Sequence, residues 1–352
     1  MELILHIGAP KTATTTIQSA IVASRDHLAN HKIYTTDLLG EGNNRLLAYY
    51  CLSNRRRDPI FTATGLDVLS LAKRESVLTN ILNTISRKAR ESGCDKILLT
   101  SEDLQSKLRQ HEILRLRKKL EDITDSVKVV LYIREQAAAI NSHYSTAIKG
   151  GAVRSCPQLP VPPFKFDRYN YYETYKNWVR GFPNLVVKNF ERDSFYMKSI
   201  LRDFEAVCEI KSGVLGNPKF RKGGIALNDS LTHDAAHLIY QFRRSFADGL
   251  SSREKKNIVN RIIRENSNGA KYTMPFEFWQ HIGDYYAESN RKLQSVAFER
   301  SGRLFETKVP PEVYENQRFS EVECLEATSK EYLLNLISEE LNLKPASEKI
   351  AS

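Results

Sequence analysis

Three groups of residues in this chain have types and spacings suited to handling anions and moving a proton. The first is the run Gly8-Ala9-Pro10-Lys11-Thr12-Ala13-Thr14-Thr15-Thr16, a tight turn with one lysine that leads into three consecutive threonines. If that turn joins a strand to a helix, backbone N–H groups, a cation and hydroxyls converge on one spot. The spot suits a phosphate or a sulfate, because the first N–H groups of a helix lack internal partners and the dipole there is positive. The second group is Arg134, with Ser142 eight residues further on. A guanidinium grips phosphate oxygens with two parallel hydrogen bonds, and a serine about two turns into the next helix would make a two-point clamp. The third is the carboxylate pair Glu102-Asp103, which can take a proton from a hydroxyl within hydrogen-bond reach, or can instead belong to a helix start capped by Ser101 or Asp103.

These groups need a sheet to hold them, and the apolar pattern supplies one. Short apolar runs at Glu2–Ile7, Lys96–Thr100, Lys128–Ile133 and Asn184–Lys188 read as buried strands. Each group of site residues follows one of the first three. Helical spacing covers Thr14–Ala29, Leu66–Ser92, His111–Ile123, Gln136–Lys149, Tyr169–Val179 and Ser194–Cys208. Further helices fall at Ser230–Phe246, Arg253–Glu265, Phe276–Phe298 and Lys330–Leu341. The stretch Lys32–Thr64 has no clear period. Ser155–Pro163, with four prolines, and Gly213–Gly224 read as loops. Strands alternating with helices predict an α/β fold: a P-loop-like, doubly wound parallel sheet flanked by helices, with a helical C-terminal portion. Residues 1–310 form the expected α/β domain and 311–352 a helical extension, able to pack on the same domain or on a partner copy. In such sheets ligands bind beyond the C-terminal strand ends.

The chain has 352 residues, 41% of them hydrophobic, enough for a full core, and a formal charge of +10 that favours an anionic ligand, polymer or surface. The charge is scattered, without the interleaved aromatic residues of a nucleic-acid binder, so no nucleic-acid partner is expected. Five widely spaced cysteines with no CxxC pair argue against a disulfide framework, and the histidines and cysteines show no metal-ligand spacing, so no metal is expected. No leader or membrane-spanning run is evident, which predicts a cytoplasmic protein. His6, one residue before its strand ends, and His143, next to Ser142, could reach the site, although a lone histidine in such a core is ordinarily structural.

The order Pro10-Lys11-x-x-Thr14-Thr15 is not the G-x-x-x-x-G-K-[ST] loop of ATP and GTP enzymes, because Lys11 precedes the threonines and no second glycine follows. It resembles the 5′-phosphosulfate loop of the sulfotransferases that use 3′-phosphoadenosine 5′-phosphosulfate (PAPS), commonly Pro-Lys-Ser/Ala-Gly-Thr-Thr. Ala13 replaces the usual glycine, so the turn there must keep φ negative or carry strain. Arg134, Ser142 and Tyr144 resemble the family's 3′-phosphate motif, with Glu135-Gln136 in place of Asp-Pro. Glu102 stands where several glycan sulfotransferases place a catalytic Glu, with Asp103 in reserve. Phe220-Arg221-Lys222-Gly223-Gly224 resembles a loop that closes over the 3′-phosphate, and Phe190-Glu191 an aromatic-acidic pair near the adenine.

The resemblance implies a bacterial PAPS-dependent enzyme, nearer the glycan than the phenol sulfotransferases. Its catalytic residues would be Glu102 as base and Lys11. Pro10, Lys11, Thr12, Ala13, Thr14, Thr15, Thr16, Arg134, Ser142, Arg221, Lys222 and Gly223 would hold the donor and its product, adenosine 3′,5′-bisphosphate (PAP). The acceptor would be a hydroxyl of a glycan or polysaccharide. The alternatives are a P-loop-type phosphotransferase and a non-enzymatic protein that binds acidic polymers.

Overall fold

The computed structural model describes residues 1–151, 167–216, 221–222, 225–226, 231–298, 304–305 and 327–341. The prolines of Ser155–Pro163, together with Cys156, Cys324, Phe220, Gly223 and Gly224, lie outside the described residues. The chain runs β1 (Glu2–His6), α1 (Thr14–Ala23), α2 (Arg25–Asn30), β2 (Ile33–Tyr34), α3 (Leu46–Cys51), α4 (Pro59–Ala63), α5 (Leu71–Glu91), β3 (Lys96–Thr100), α6 (Glu102–Lys107), α7 (Gln110–Glu121), β4 (Ser126–Ile133), α8 (Gln136–Lys149), α9 (Tyr171–Gly181) and β5 (Leu185–Asn189). Two 3-10 turns, Arg192–Ser194 and Tyr196–Lys198, lead into α10 (Ile200–Val207), β6 (Arg221–Lys222), β7 (Ile225–Ala226), α11 (His233–Ser245), α12 (Ser252–Glu265), α13 (Phe276–Ala297) and α14 (Ala327–Glu340).

The expected α/β architecture is present. Five strands, all parallel, lie in the order β2-β3-β1-β4-β5. β1 is apolar throughout its core because it is covered on both faces. Leu3, Leu5 and Ile7 enter one core with Leu47, Leu78, Leu82, Ile113, Leu116 and Trp178, from α3, α5, α7 and α9. Ile4 enters the opposite core with Ile17 and Ile21 of α1 and Leu201 and Phe204 of α10. From β1 the chain passes to the β2 edge, and from β4 to the β5 edge. The crevice expected where connections diverge therefore opens between the ends of β1 and β4.

The chain divides into two compact units. The first carries the sheet and its flanking helices. The second gathers α8, α11, α12, α14 and the start of α13, with β6 and β7 as a short antiparallel pair. Within it, Asn141 of α8 grips the segment before α13, donating to Tyr272 O (3.1 Å) and accepting from Met274 N (3.0 Å). α14 packs on α11 and α12, fixed by Arg261 to Glu339 (2.5 Å), Asn257 to Glu340 (2.7 Å) and Tyr332 to Glu265 (2.8 Å). Among the described residues, no helix is long and apolar enough to cross a membrane.

Three expected helices depart most from their expected bounds, each for a local reason. The helix expected over Thr14–Ala29 breaks at Ser24, whose N–H bonds to Ile21 O and whose hydroxyl accepts Gly216 N (3.0 Å). The helix expected from Leu66 begins at Leu71, because Ser70 accepts Lys73 N and caps it there. The helix expected over Ser194–Cys208 starts only at Ile200. Before it, Met197 and Lys198 both take left-handed backbone angles (φ 51° and 52°), while Phe195 inserts into the core and Asp203 accepts Tyr196 N.

His6 ends β1 fully buried, edge-on to Phe204 and Tyr132, with Nδ1 2.8 Å from Thr100 Oγ1 and, among the described residues, no partner for Nε2. Burial pulls its pKa down to about 3, so the ring is neutral in the folded chain. An unfolded histidine titrates near ~6.5, so below that pH the unfolded chain takes up a proton that the folded chain refuses. Stability is therefore fully present above ~6.5 and is lost as pH falls toward about 3, by up to ~1.4 kcal/mol per pH unit from this residue. His6→Gln should lack this component. Urea unfolding of both proteins from pH 7 to pH 4 checks it, and parallel profiles would contradict it.

Candidate anion-binding active site

The turn after β1 is held on both sides. Ile7 N and Ala9 N donate to Val130 O (3.0 Å) and Tyr132 O (3.2 Å) of β4, while Ser101 N, at the end of β3, donates to His6 O (2.9 Å). Gly8 admits no side chain: a Cβ there would lie 2.5 Å from Thr14 Cγ2 and 2.9 Å from His6 Nε2. The loop between is shaped by Thr12, which is buried and donates its hydroxyl to Ala9 O (2.6 Å), and by buried Pro10. Lys11 and Ala13 both adopt positive φ (70° and 56°). Of the two outcomes open to Ala13, the strained one is observed, since the left-handed region crowds any Cβ. Ala13 gives α1 no side-chain cap, so the first amides of the helix are not met by a capping side chain. Thr15 is exposed and Thr16 half-buried at this end.

Two neighbouring strand ends converge on the loop. At the end of β3, Ser101 caps α6 by accepting Asp103 N (3.3 Å), which places Glu102 at the first helical position. Glu102 accepts a 2.7 Å hydrogen bond from the Thr14 hydroxyl, so the carboxylate is directly joined to the start of α1 beyond the loop. Asp103 turns inward instead, toward Arg45 (3.6 Å), and burial raises its pKa. At the end of β4, Arg134 donates from Nη1 to Lys11 O (3.3 Å) and lies 5.8 Å from the Phe190 ring centre. Burial pulls the Lys11 ammonium below its usual range; the Glu102 charge opposes this and the Arg134 charge adds to it. Lys11, Thr14, Glu102 and Arg134 thus form one cluster across β3, β1 and β4.

Of the remaining sequence candidates, Glu191 lies in the first unit, while Ser142, His143, Arg221, Lys222 and Gly223 belong to the second. Ser142 lies within α8, its carbonyl accepting from Thr146 Oγ1 (3.2 Å), and His143 follows it. Arg221 and Lys222 form β6, and Gly223 is outside the described residues. Among the described residues, no cluster of three His, Cys, Asp or Glu side chains could hold a metal. Cys51, Cys94 and Cys208 are buried free thiols. Sequence reasoning missed Asn44, which bonds to Thr100 at the end of β3, and Arg45, which lies 3.6 Å from Asp103; both are in the stretch whose period could not be read, and no local pattern signals them.

The fold and this cluster define an α/β protein with a lysine- and threonine-containing loop, a candidate anion site, at its central strand end. An uncharacterized protein of Archaeoglobus fulgidus is 26% identical to the chain over 225 residues, or 62% of this chain and 59% of that protein. The match therefore spans somewhat more than half the length of that relative. No family model matches the chain, and no solved structure matches it.

The strain at Ala13 can be tested directly. Glycine occupies the left-handed region without a Cβ clash, an advantage of about 1–2 kcal/mol that is partly offset by its freer unfolded chain. Ala13→Gly should therefore raise the unfolding free energy by up to about 1 kcal/mol. A lower urea midpoint in the variant would contradict the positive φ.

Proposed function

We propose that this protein transfers a sulfuryl group from PAPS to a hydroxyl of a glycan or polysaccharide. One observation carries the reading: an anion loop, a guanidinium bonded to that loop and a carboxylate bonded to that loop meet at three adjacent strand ends. The cations and the helix amides suit the donor, while the carboxylate suits the acceptor. The donor is an anion with phosphates at both ends of one ribose. Lys11, the uncapped start of α1, Thr15 and Thr16 fit its 5′ end; Arg134 fits a second phosphate close by. When bound, PAPS supplies a sulfuryl group already attached to a good leaving group.

The chain's own residues then have distinct tasks. Glu102, steadied by Thr14, takes the acceptor's proton as the acceptor oxygen bonds to sulfur; the electrons of the breaking sulfur–oxygen bond leave with the phosphate of PAP. Lys11 meets the charge that grows on that phosphate. Its partial burial strengthens the effect, because a charge withdrawn from water is less screened. The sulfotransferase-like order of Pro10, Lys11, Thr14 and Thr15 supports this reading over a kinase, and so does the lack of a Gly-Lys-Ser/Thr loop.

Lys11→Ala should lower turnover by about 100-fold or more while the circular dichroism and melting temperature stay as in the parent. Glu102→Gln should lose about 100- to 10,000-fold in kcat yet still bind PAP. Calorimetric titration with PAP and turnover of labelled PAPS on a panel of oligosaccharides, lipids and phenols check both. Near-parental turnover in Lys11→Ala removes the lysine from the mechanism, and binding of ATP–magnesium in place of PAP points to phosphoryl transfer.

A further inference from the structure

Just beyond β1 stands a glycine that its own backbone does not require. Gly8 is not among the residues with positive φ, so alanine would meet no left-handed penalty there. Space is what excludes a side chain. A Cβ at Gly8 would lie 2.5 Å from Thr14 Cγ2, and 2.9 and 3.1 Å from Nε2 and Cε1 of the His6 ring. The tightest of these contacts is with the Thr14 methyl, which packs into the room that the missing side chain leaves.

The seat of that methyl decides where the hydroxyl goes. Both groups hang from one tetrahedral carbon, so fixing one fixes the other. With Cγ2 against Gly8, Oγ1 faces the neighbouring strand end and donates to Glu102 Oε2 at 2.7 Å. Thr14 is buried, so packing rather than solvent selects its rotamer. It is also the first residue of α1, with no helical turn before it to restrict χ1. The two strand ends are held in register by Ser101 N, which donates to His6 O (2.9 Å). A hydroxyl has one proton to donate, and that of Thr14 is committed to the carboxylate.

We propose that Gly8 is a positioning residue for the base: by seating the Thr14 methyl it turns the Thr14 hydroxyl onto Glu102 and so fixes the carboxylate at the end of β3. This role rests on the sulfuryl-transfer reading only in taking Glu102 as the base; the contacts themselves involve no ligand. The glycine serves the acceptor side of the site through two intervening side chains, and the Thr14 hydroxyl is not spent on the donor.

Carboxyl-labelled glutamate followed by NMR reads the contact without donor or acceptor, the Glu102 signal being assigned by its loss in Glu102→Gln. Thr14→Val should move that signal from its parental position, and Gly8→Ala should move it the same way. Gly8→Ala combined with Thr14→Ser keeps the hydroxyl but removes the obstructing methyl, and should return the signal to the parental position. Only the His6 contacts at 2.9 and 3.1 Å then remain, and they call for a smaller displacement than the 2.5 Å clash. A parental signal in Gly8→Ala, or a double variant that behaves as Gly8→Ala does, overturns the assignment. If Gly8→Ala alone fails to fold by circular dichroism, the double variant decides: folded with the parental signal it supports the role, unfolded it overturns it. In turnover of labelled PAPS, Gly8→Ala and Thr14→Val should both lose up to about 100-fold in kcat while calorimetric PAP affinity stays near the parental value. A PAP affinity that falls as far as kcat in Thr14→Val overturns the commitment of the hydroxyl to Glu102. Absence of PAP binding by the parent, with the carboxyl signals as expected, would keep the Gly8–Thr14–Glu102 arrangement and sink the sulfuryl-transfer reading alone.

Discussion

The end of β1 is hydrogen-bonded to both of its neighbours at once. His6 O accepts from the first residue after β3, and Ile7 and Ala9 donate to β4. Parallel strands emerge from a sheet at the same edge, so these bonds compel three loops to leave side by side. Lys11, Glu102 and Arg134 are far apart in sequence yet converge because each lies one to five residues beyond a strand in that triplet. The direct contacts, Thr14 to Glu102 and Arg134 to Lys11 O, follow from this placement.

Such close packing puts strain and unmet polarity around the loop. Gly8 has no room for a methyl group, Lys11 and Ala13 take backbone angles that most residues avoid, and a neutral histidine lies beneath with one ring nitrogen unpartnered among the described residues. Local costs of this kind persist where the surrounding structure over-determines them, and they gather at sites that must bind. Here the over-determination comes from two apolar cores, one on each face of β1, together with the ladder bonds on either side.

Much of the fold was legible in the sequence. β3 and α8 have the expected bounds, because a short apolar run and a 3.6-residue period are strong local signals. The loop was legible for the same reason, its residues being contiguous. Details set by distant partners were not. Ser24 breaks the first helix through a bond to Gly216, and Met197 and Lys198 twist because Phe195 and Asp203 hold the chain on either side. Thr12 sits among the threonine-rich loop residues, yet its hydroxyl turns inward to Ala9, which composition could not reveal. Arg45 was illegible because its position comes from Asn44 pairing with Thr100, fifty-six residues away. The carboxylate pair was readable as a pair, but the separate environments of Glu102 and Asp103 became visible only with the strands in place.

The hydroxyl of Thr14 serves two masters. It belongs to the helix start proposed to cradle an anion, and its proton rests on the carboxylate at the next strand end. Residues linked in this way are not energetically independent, so the effects of altering each should fail to add. Positions 14 and 102 are therefore one coupled unit: removing the threonine hydroxyl takes away a donor that holds the carboxylate in place.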